Sequence, residues 1–227
     1  LVGDEHGNWL RGDVAGILTA RYLDAEVVVT PVSSNSALEK SEWFTRVVRT
    51  RIGSPFVIEG MQQAVSEGAR QVVGYEANGG FLIMTPIVVD GRPLAALPTR
   101  DAIIVALGVL LLARRQGVPV SQVGALLPPR FTASDRLKDF PTELSAQRIA
   151  GLAQDPQAIE QAFPTLGAVT HIDLTDGLRA TFANDEVVHL RPSGNAPELR
   201  CYTEADSAER AQSLNAECIG RLAAWRG

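Results

Sequence analysis

Residues 191–200 read Arg-Pro-Ser-Gly-Asn-Ala-Pro-Glu-Leu-Arg, a run that gathers the groups a phosphate needs into one short loop. Arg191 and Arg200 each carry a planar guanidinium that can grip a phosphate through paired N–H bonds. Ser193 and Asn195 add neutral donors, and Gly194 lets an anion come close to the backbone. Apolar, strand-like segments at 186–190 and 199–203 flank the run and would mount the cradle at the end of a hairpin. The rival reading is a structural turn with two solvated arginines; the phosphate cradle is preferred.

Two earlier loops carry further chemistry. Gly74-Tyr75-Glu76-Ala77-Asn78-Gly79-Gly80-Phe81 joins two strand patterns, and Gly79 and Gly80 fit a turn that needs positive φ. Such a turn does not require Glu76 and Asn78. A carboxylate accepting from vicinal hydroxyls, with a carboxamide beside it, is a pattern that reads a sugar ring, although an Asn-Gly-Gly turn with a solvated glutamate stays open. At Arg49-Thr50-Arg51-Ile52-Gly53-Ser54-Pro55 a strand ends, Gly53 turns the chain and a helix begins. Free backbone N–H groups at that start, with Arg51 beside them, would favour an anion, whereas an ordinary strand-to-helix connection is the simpler reading of the stretch taken alone. Arg100-Asp101 repeats the pattern at another helix start, where Asp101 reads as a cap. His6, His171 and His189 have no metal-ligand spacing, and no Ser-His-Asp set or glycine-rich nucleotide loop can be assembled.

The elements that must position these loops follow from periodicity. At 227 residues and 45% apolar, the chain can bury a sizeable core in two domains. A net charge of −5 without a basic run argues against an extended nucleic-acid surface and leaves phosphate affinity to local clusters. Cys201 and Cys218 read as free buried thiols. The longest apolar run, 102–113, is too short to span a bilayer, and no signal peptide is visible, so a soluble cytoplasmic protein is expected.

Asp13 reads as the cap of a first helix, followed by a Val-rich strand at 26–30, a helix at 35–44, a strand at 47–50 and a helix at 55–68. Strands at 71–75 and 81–85 and a long helix at 101–116 complete an α/β mixed-sheet sandwich over residues 13–127, covered on both faces. Residues 130–135 read as a polar connection after Pro128-Pro129. Helices at 142–153 and 156–162, strands at 168–174, 178–183, 186–190 and 199–203, and a helix from Asp206 make residues 128–227 a smaller α+β domain. That domain is expected to have a four-stranded antiparallel sheet with helices on one face. Residues 1–12 read as the tail hairpin of a domain that lies upstream, so the chain is expected to be a fragment.

The loops occur in a known order. Thr-Arg-Ile-Gly at Thr50, Gly-x-Glu-x-Asn-Gly at Gly74, Arg-Asp at Arg100 and Arg-Pro-Ser-Gly-Asn-x-Pro at Arg191 together resemble the α-D-phosphohexomutases, the phosphomannomutase/phosphoglucomutase family, over the back half of its four-domain protein. The resemblance implies phosphate binding by Arg191, Ser193, Gly194, Asn195 and Arg200, and sugar binding by Arg51, Gly53, Glu76, Asn78 and Gly79. Asn195 and Ala196 stand where Thr-Glu is usual, and Asn78 and Gly80 where serine and histidine are usual. Arg51 stands where a lysine is common and, being unable to deprotonate, is cast as an electrostatic clamp. The reaction implied interconverts mannose or glucose 1- and 6-phosphates through a phosphoserine and a bisphosphate, with Mg²⁺ and a hexose 1,6-bisphosphate activator. The serine and the metal ligands would lie in missing N-terminal domains, leaving no catalytic residue and no metal ligand in this chain. A non-catalytic phosphosugar-binding module is the alternative.

Overall fold

A computed structural model describes residues 2–226; Leu1, which the sequence pattern gives to the first hairpin, lies outside the described residues. The chain divides into two compact units, one ending at Pro128 and the other starting at Pro129.

The first unit opens with a short hairpin, β1 (Val2–Gly3) against β2 (Trp9–Leu10), whose Val2 and Leu10 pack on the unit's own core. Then follow α1 (Gly12–Tyr22), β3 (Val27–Pro31), α2 (Ala37–Lys40), β4 (Arg46–Thr50), α3 (Ser54–Ser66), β5 (Val72–Tyr75) and β6 (Phe81–Ile83). The unit closes with the hairpin β7 (Ile87–Val89) and β8 (Arg92–Leu94), then β9 (Leu97–Asp101), α4 (Ile103–Gln116) and α5 (Val120–Val123).

The sheet runs β4-β3-β5-β6-β9, with β3 parallel to β4 and β5, and β6 antiparallel to β5 and β9. β3 is buried along its whole length, as a run of β-branched residues covered on both faces should be. Val28, Val73 and Tyr75 join Ile17, Leu18, Val105 and Val109 of α1 and α4, whereas Val27, Val29 and Val72 join Val57 and Met61 of α3. The expected two-sided cover is therefore present.

Three local expectations are corrected. Asp13 is not a cap: α1 starts one residue earlier, and the fully buried Asp13 carboxylate accepts the Asn35 N–H at 3.2 Å, tying the helix to the chain after β3. The helix expected over 35–44 is only the four residues of α2. Its surroundings are fixed by Arg49, which donates to the carbonyls of Pro31, Ser34 and Asn35 and forks onto Glu39. Strands β7, β8 and β9 fill a stretch that offered no strand pattern, because β9 is mostly exposed and both β8 and β9 carry a proline.

The second unit contains β10 (Phe131–Leu137), α6 (Thr142–Ala153), α7 (Pro156–Ala162), β11 (Val169–Asp173), β12 (Leu178–Phe182), β13 (Val187–Pro192), β14 (Leu199–Ala205) and α8 (Ala208–Ala223). Its antiparallel sheet has five strands, ordered β10-β14-β13-β12-β11, not the four expected. The extra strand is β10, at the stretch read as a connection. It is an edge strand with few buried side chains, so its sequence, Phe-Thr-Ala-Ser-Asp-Arg-Leu, lacks the apolar alternation that marks a strand.

Leu178, Ala180, Val188, Leu190, Leu199 and Cys201 share one core with Ile149, Ile159, Leu214, Cys218 and Leu222, so the helices lie on a single face. Ser207 caps α8 by accepting the Arg210 N–H at 3.2 Å. Cys201 and Cys218 are free and buried, and the hydrogen bond between them, with burial, pushes the Cys201 thiol well up. Among the described residues no single helix is long and apolar enough to cross a membrane.

Candidate functional site

In the first unit the parallel strands end at one edge of the sheet: Pro31 pairs with Thr50, and the Thr30 hydroxyl donates to the Tyr75 carbonyl at 2.9 Å. The loops after β4 and β5 leave from that edge, where ligands of such sheets are held. Arg51 and Gly53 follow β4. Arg51 is exposed and stacks on the Phe56 ring, its guanidinium carbon 4.8 Å from the centroid, and Gly53 takes φ +135°. Arg49, by contrast, belongs to the framework described above.

The loop 76–80 closes the β5–β6 hairpin through bonds from Glu76 N to Gly80 O and from Gly79 N to Glu76 O, each 2.9 Å. Asn78 Oδ1 accepts the Gly80 N–H at 2.9 Å, which leaves its amide as an outward donor on an exposed residue. Gly79 has φ +89° as expected, but Gly80 does not need positive φ. Space requires it instead, since a Cβ there would stand 2.7 Å from Cδ of Arg100. Glu76 is buried, and its Oε2 has no hydrogen-bond partner; the Nε of Arg100 lies 3.9 Å from it. Gly12, at the start of α1, touches the same loop so closely that a Cβ would sit 2.3 Å from the Ala77 carbonyl oxygen. The bend thus offers a fixed carboxylate acceptor, a carboxamide donor and a guanidinium, the set that pairs with ring hydroxyls.

In the second unit, Arg191 and Arg200 are direct cross-strand partners on β13 and β14, and Pro192 faces Leu199. Between them the loop is braced by Ser193 N to Glu198 O and Glu198 N to Ala196 O, both 2.8 Å, and by Phe140 N to Pro197 O at 2.8 Å. Ser193 is buried, its Oγ accepting the Asn195 N–H at 3.4 Å, while Gly194 and Asn195 are exposed. A Cβ on Gly194 would meet nothing within 4 Å, so the backbone there stands open to an approaching anion.

Arg191 is oriented from an element the sequence pattern did not connect to it. Its Nε lies 2.8 Å from Oδ2 of Asp176, in the turn between β11 and β12. Gly177 makes that approach possible: it has φ +89°, and a Cβ would fall 2.2 Å from the Leu190 carbonyl oxygen. His189, two residues before Arg191, bonds through Nε2 to the Asp176 carbonyl at 2.6 Å. A carbonyl can only accept, so Nε2 carries the proton. The ring also stacks on Tyr202 at 5.2 Å, and burial pushes its pKa from 6.5 down to about 4. The Asp176 ion pair engages the Arg191 guanidinium at Nε. Arg200 stands 3.4 Å from Glu198 through Nη2, and its buried Nε has no hydrogen-bond partner.

The structure thus brings Arg51, Gly53, Glu76, Asn78 and Gly79, read from the sequence as two separate loops, to one sheet edge, and sets Arg191, Ser193, Gly194, Asn195 and Arg200 at one hairpin end. Sequence reasoning missed the supporting Asp176 and His189, and it gave Arg100 no place at the loop 76–80. Asp176-Gly177 was legible only as a turn. Among the described residues no group of three or more His, Cys, Asp or Glu side chains is placed to hold a metal.

Comparison with known proteins gives a consistent picture. The family description "Phosphoglucomutase/phosphomannomutase, alpha/beta/alpha domain III" matches residues 11–131, and "Phosphoglucomutase/phosphomannomutase, C-terminal domain" matches residues 143–220. A phosphomannomutase of Salmonella muenchen is 43% identical over 94% of this chain and 44% of its own length. One from Sinorhizobium fredii is 41% identical over 98% of this chain and 47% of its own length. The chain thus spans a little under half of these relatives. A phosphoglucomutase/phosphomannomutase family protein from Burkholderia thailandensis superposes with a TM-score of 0.65 at 16% identity, over 97% of this chain and 43% of that one. The Aspergillus fumigatus N-acetylphosphoglucosamine mutase, solved with GlcNAc-6P and magnesium, gives 0.64 at 16% identity over 96% and 48%.

Proposed function

Since the chain belongs to the phosphoglucomutase/phosphomannomutase family, we propose that it is the sugar- and phosphate-holding half of a phosphohexomutase that interconverts mannose or glucose 1-phosphate and 6-phosphate. The observation that carries this reading is the Arg191 loop, an open backbone at Gly194 beside a guanidinium whose Nε is fixed by Asp176.

In this reading Arg191, Ser193, Gly194, Asn195 and Arg200 hold the phosphate that is not being transferred. Glu76, Asn78 and Gly79 hold the ring hydroxyls, and Arg51 with the Gly53 turn adds positive charge at the same sheet edge. Holding and orienting the substrate is most of what phosphoryl transfer asks of a protein. A phosphoserine, a bisphosphate intermediate, Mg²⁺ and activation by hexose 1,6-bisphosphate complete the reaction, with the serine and the metal ligands supplied by further domains of the same protein in a cytoplasmic setting. Magnesium accompanies the sugar phosphate in the Aspergillus fumigatus structure, but the described residues here offer it no ligand cluster, and none of the steps given to this chain runs through it. The chain alone is then a binder without turnover.

The test is a coupled assay of the complete gene product with mannose and glucose 1-phosphates, beside the same assay of the 227-residue chain. Turnover by the first and none by the second is expected. Absence of turnover by the complete product with either sugar would refute the mutase reading.

A further inference from the structure

The face of the second sheet opposite the helices carries a rank of cations. Register places Arg136 of β10 opposite Arg200 of β14, and Arg200 opposite Arg191 of β13, so the three stand side by side on the same face. Adjacent strands are ~4.8 Å apart, which brings the three stems within about 10 Å. Asp176 takes the Arg191 end of this rank. The other end is served by one carboxylate, Glu198, 3.2 Å from Nε of Arg136 and 3.4 Å from Nη2 of Arg200.

Around that end lies a cavity of about 620 Å³ lined by Ser134, Asp135, Arg136, Lys138, Arg200 and Tyr202. Asp135 is the second acid present, and its Oδ1 accepts the Arg136 backbone N–H at 2.7 Å. Three cations therefore meet two carboxylates, one of which is engaged with the backbone. The Nε of Arg200 is buried without a hydrogen-bond acceptor. The Arg200 side chain is a third exposed and already meets Glu198 through Nη2, so its Nε is a donor left for a further acceptor.

We propose that this cavity is a phosphate-binding subsite beside the Arg191 loop, sharing Arg200 with it, in which Arg136 and Lys138 join Arg200 to neutralise the dianion and the hydroxyls of Ser134 and Tyr202 add neutral donors. Guanidinium forks arriving from two strands and an ammonium from the end of β10 suit a tetrahedral group with several oxygens better than a planar carboxylate. The ligand is either free phosphate or the phosphate group of a small phosphorylated molecule. The proposal stands on the second sheet alone and does not require the mutase reading.

Amide NMR spectra of the 227-residue chain, titrated separately with inorganic phosphate and with mannose 6-phosphate, test it. Amides of Ser134, Arg136 and Tyr202 should respond with an affinity different from that of Ser193, Gly194 and Asn195. The double variant Arg136→Gln/Lys138→Gln should weaken the first response about tenfold or more and leave the second within about twofold. Arg191→Ala should do the reverse. Arg136 and Lys138 sit at the end of an edge strand, and unchanged amide dispersion in the variants confirms that the fold is retained. As a measure independent of any variant, the first response should weaken as salt rises.

Equal responses to the two probes identify the phosphate group alone as the ligand, and a response only to mannose 6-phosphate assigns the cavity to a phosphorylated sugar; either upholds the proposal. No response of the first set to either probe overturns it, as does joint loss of both responses in Arg191→Ala. Loss of only the second set from the wild-type chain would instead count against the mutase reading.

Discussion

The Asp176 carboxylate lies 2.8 Å from the Nε of Arg191, on an adjacent turn that Gly177 alone allows to press against β13. The carboxylate turns a flexible cation into an aimed one: the guanidinium is held by one edge and presents the other. Rotamer freedom that a solvated arginine would lose on binding a ligand is already lost in the fold.

Arg191→Lys keeps the charge but removes the fork, so one ammonium must serve both Asp176 and the phosphate. Affinity for mannose 6-phosphate is expected to fall about tenfold in Arg191→Lys, and Arg191→Ala should lose a charge-assisted contact of ~1.5–3 kcal/mol. Titration calorimetry on the chain and on the complete gene product checks both. Unchanged affinity in Arg191→Ala would remove the loop from the binding site.

Gly177→Ala should act on the same aim from a distance. Its φ of +89° and the Leu190 carbonyl oxygen at 2.2 Å from a new Cβ force the turn outward. A loss of about 2 kcal/mol or more is expected in chemical denaturation, together with weaker phosphate binding, although residue 177 would touch no ligand.

His189 makes stability pH-dependent. Its pKa is about 4 in the fold against 6.5 for the free side chain, so between those values the unfolded chain binds a proton that the folded chain refuses. Stability should therefore fall as pH drops from about 6.5 towards 4 and gain no further dependence from this group below that, the full effect reaching roughly 3 kcal/mol. His189→Gln retains a donor for the Asp176 carbonyl and should flatten this segment of the pH–stability curve. An identical slope in the variant would exclude His189 as its origin.

Glu76 is expected to distinguish sugar from phosphate. Glu76→Gln replaces an acceptor-only group whose Oε2 has no hydrogen-bond partner, so affinity for mannose 6-phosphate should drop severalfold while affinity for inorganic phosphate stays the same. Arg100→Ala should weaken the same ligand in the same selective way, since the Arg100 Nε faces that carboxylate at 3.9 Å. Equal losses for both probes would place these residues outside the sugar site.

Much of the architecture was written in local patterns. The Val-rich β3 and the stripe Ala211, Leu214, Cys218 and Leu222 on α8 are periodic because each buries an apolar face, and periodicity survives in a bare sequence. β10 left no such trace, since an edge strand is stabilised by the backbone of β14 more than by its own side chains. The loops were legible because glycine and charge cluster there. Their supports were not: Asp176 reaches Arg191 across a sheet register, and the space over Gly80 is taken by Arg100, relations that exist only after folding. Asp13 misled for the opposite reason, since an acid near a helix start reads as a cap even when it is buried to hold Asn35.

Because the heading of Arg191 is inherited from a neighbouring hairpin, the tip of its own loop is released from that duty. Asn195 is exposed at that tip, and Ala196 stands next to it. If the loop holds phosphate as proposed, substitutions there would retune which anion is welcomed, while the anchoring cation keeps its bearing.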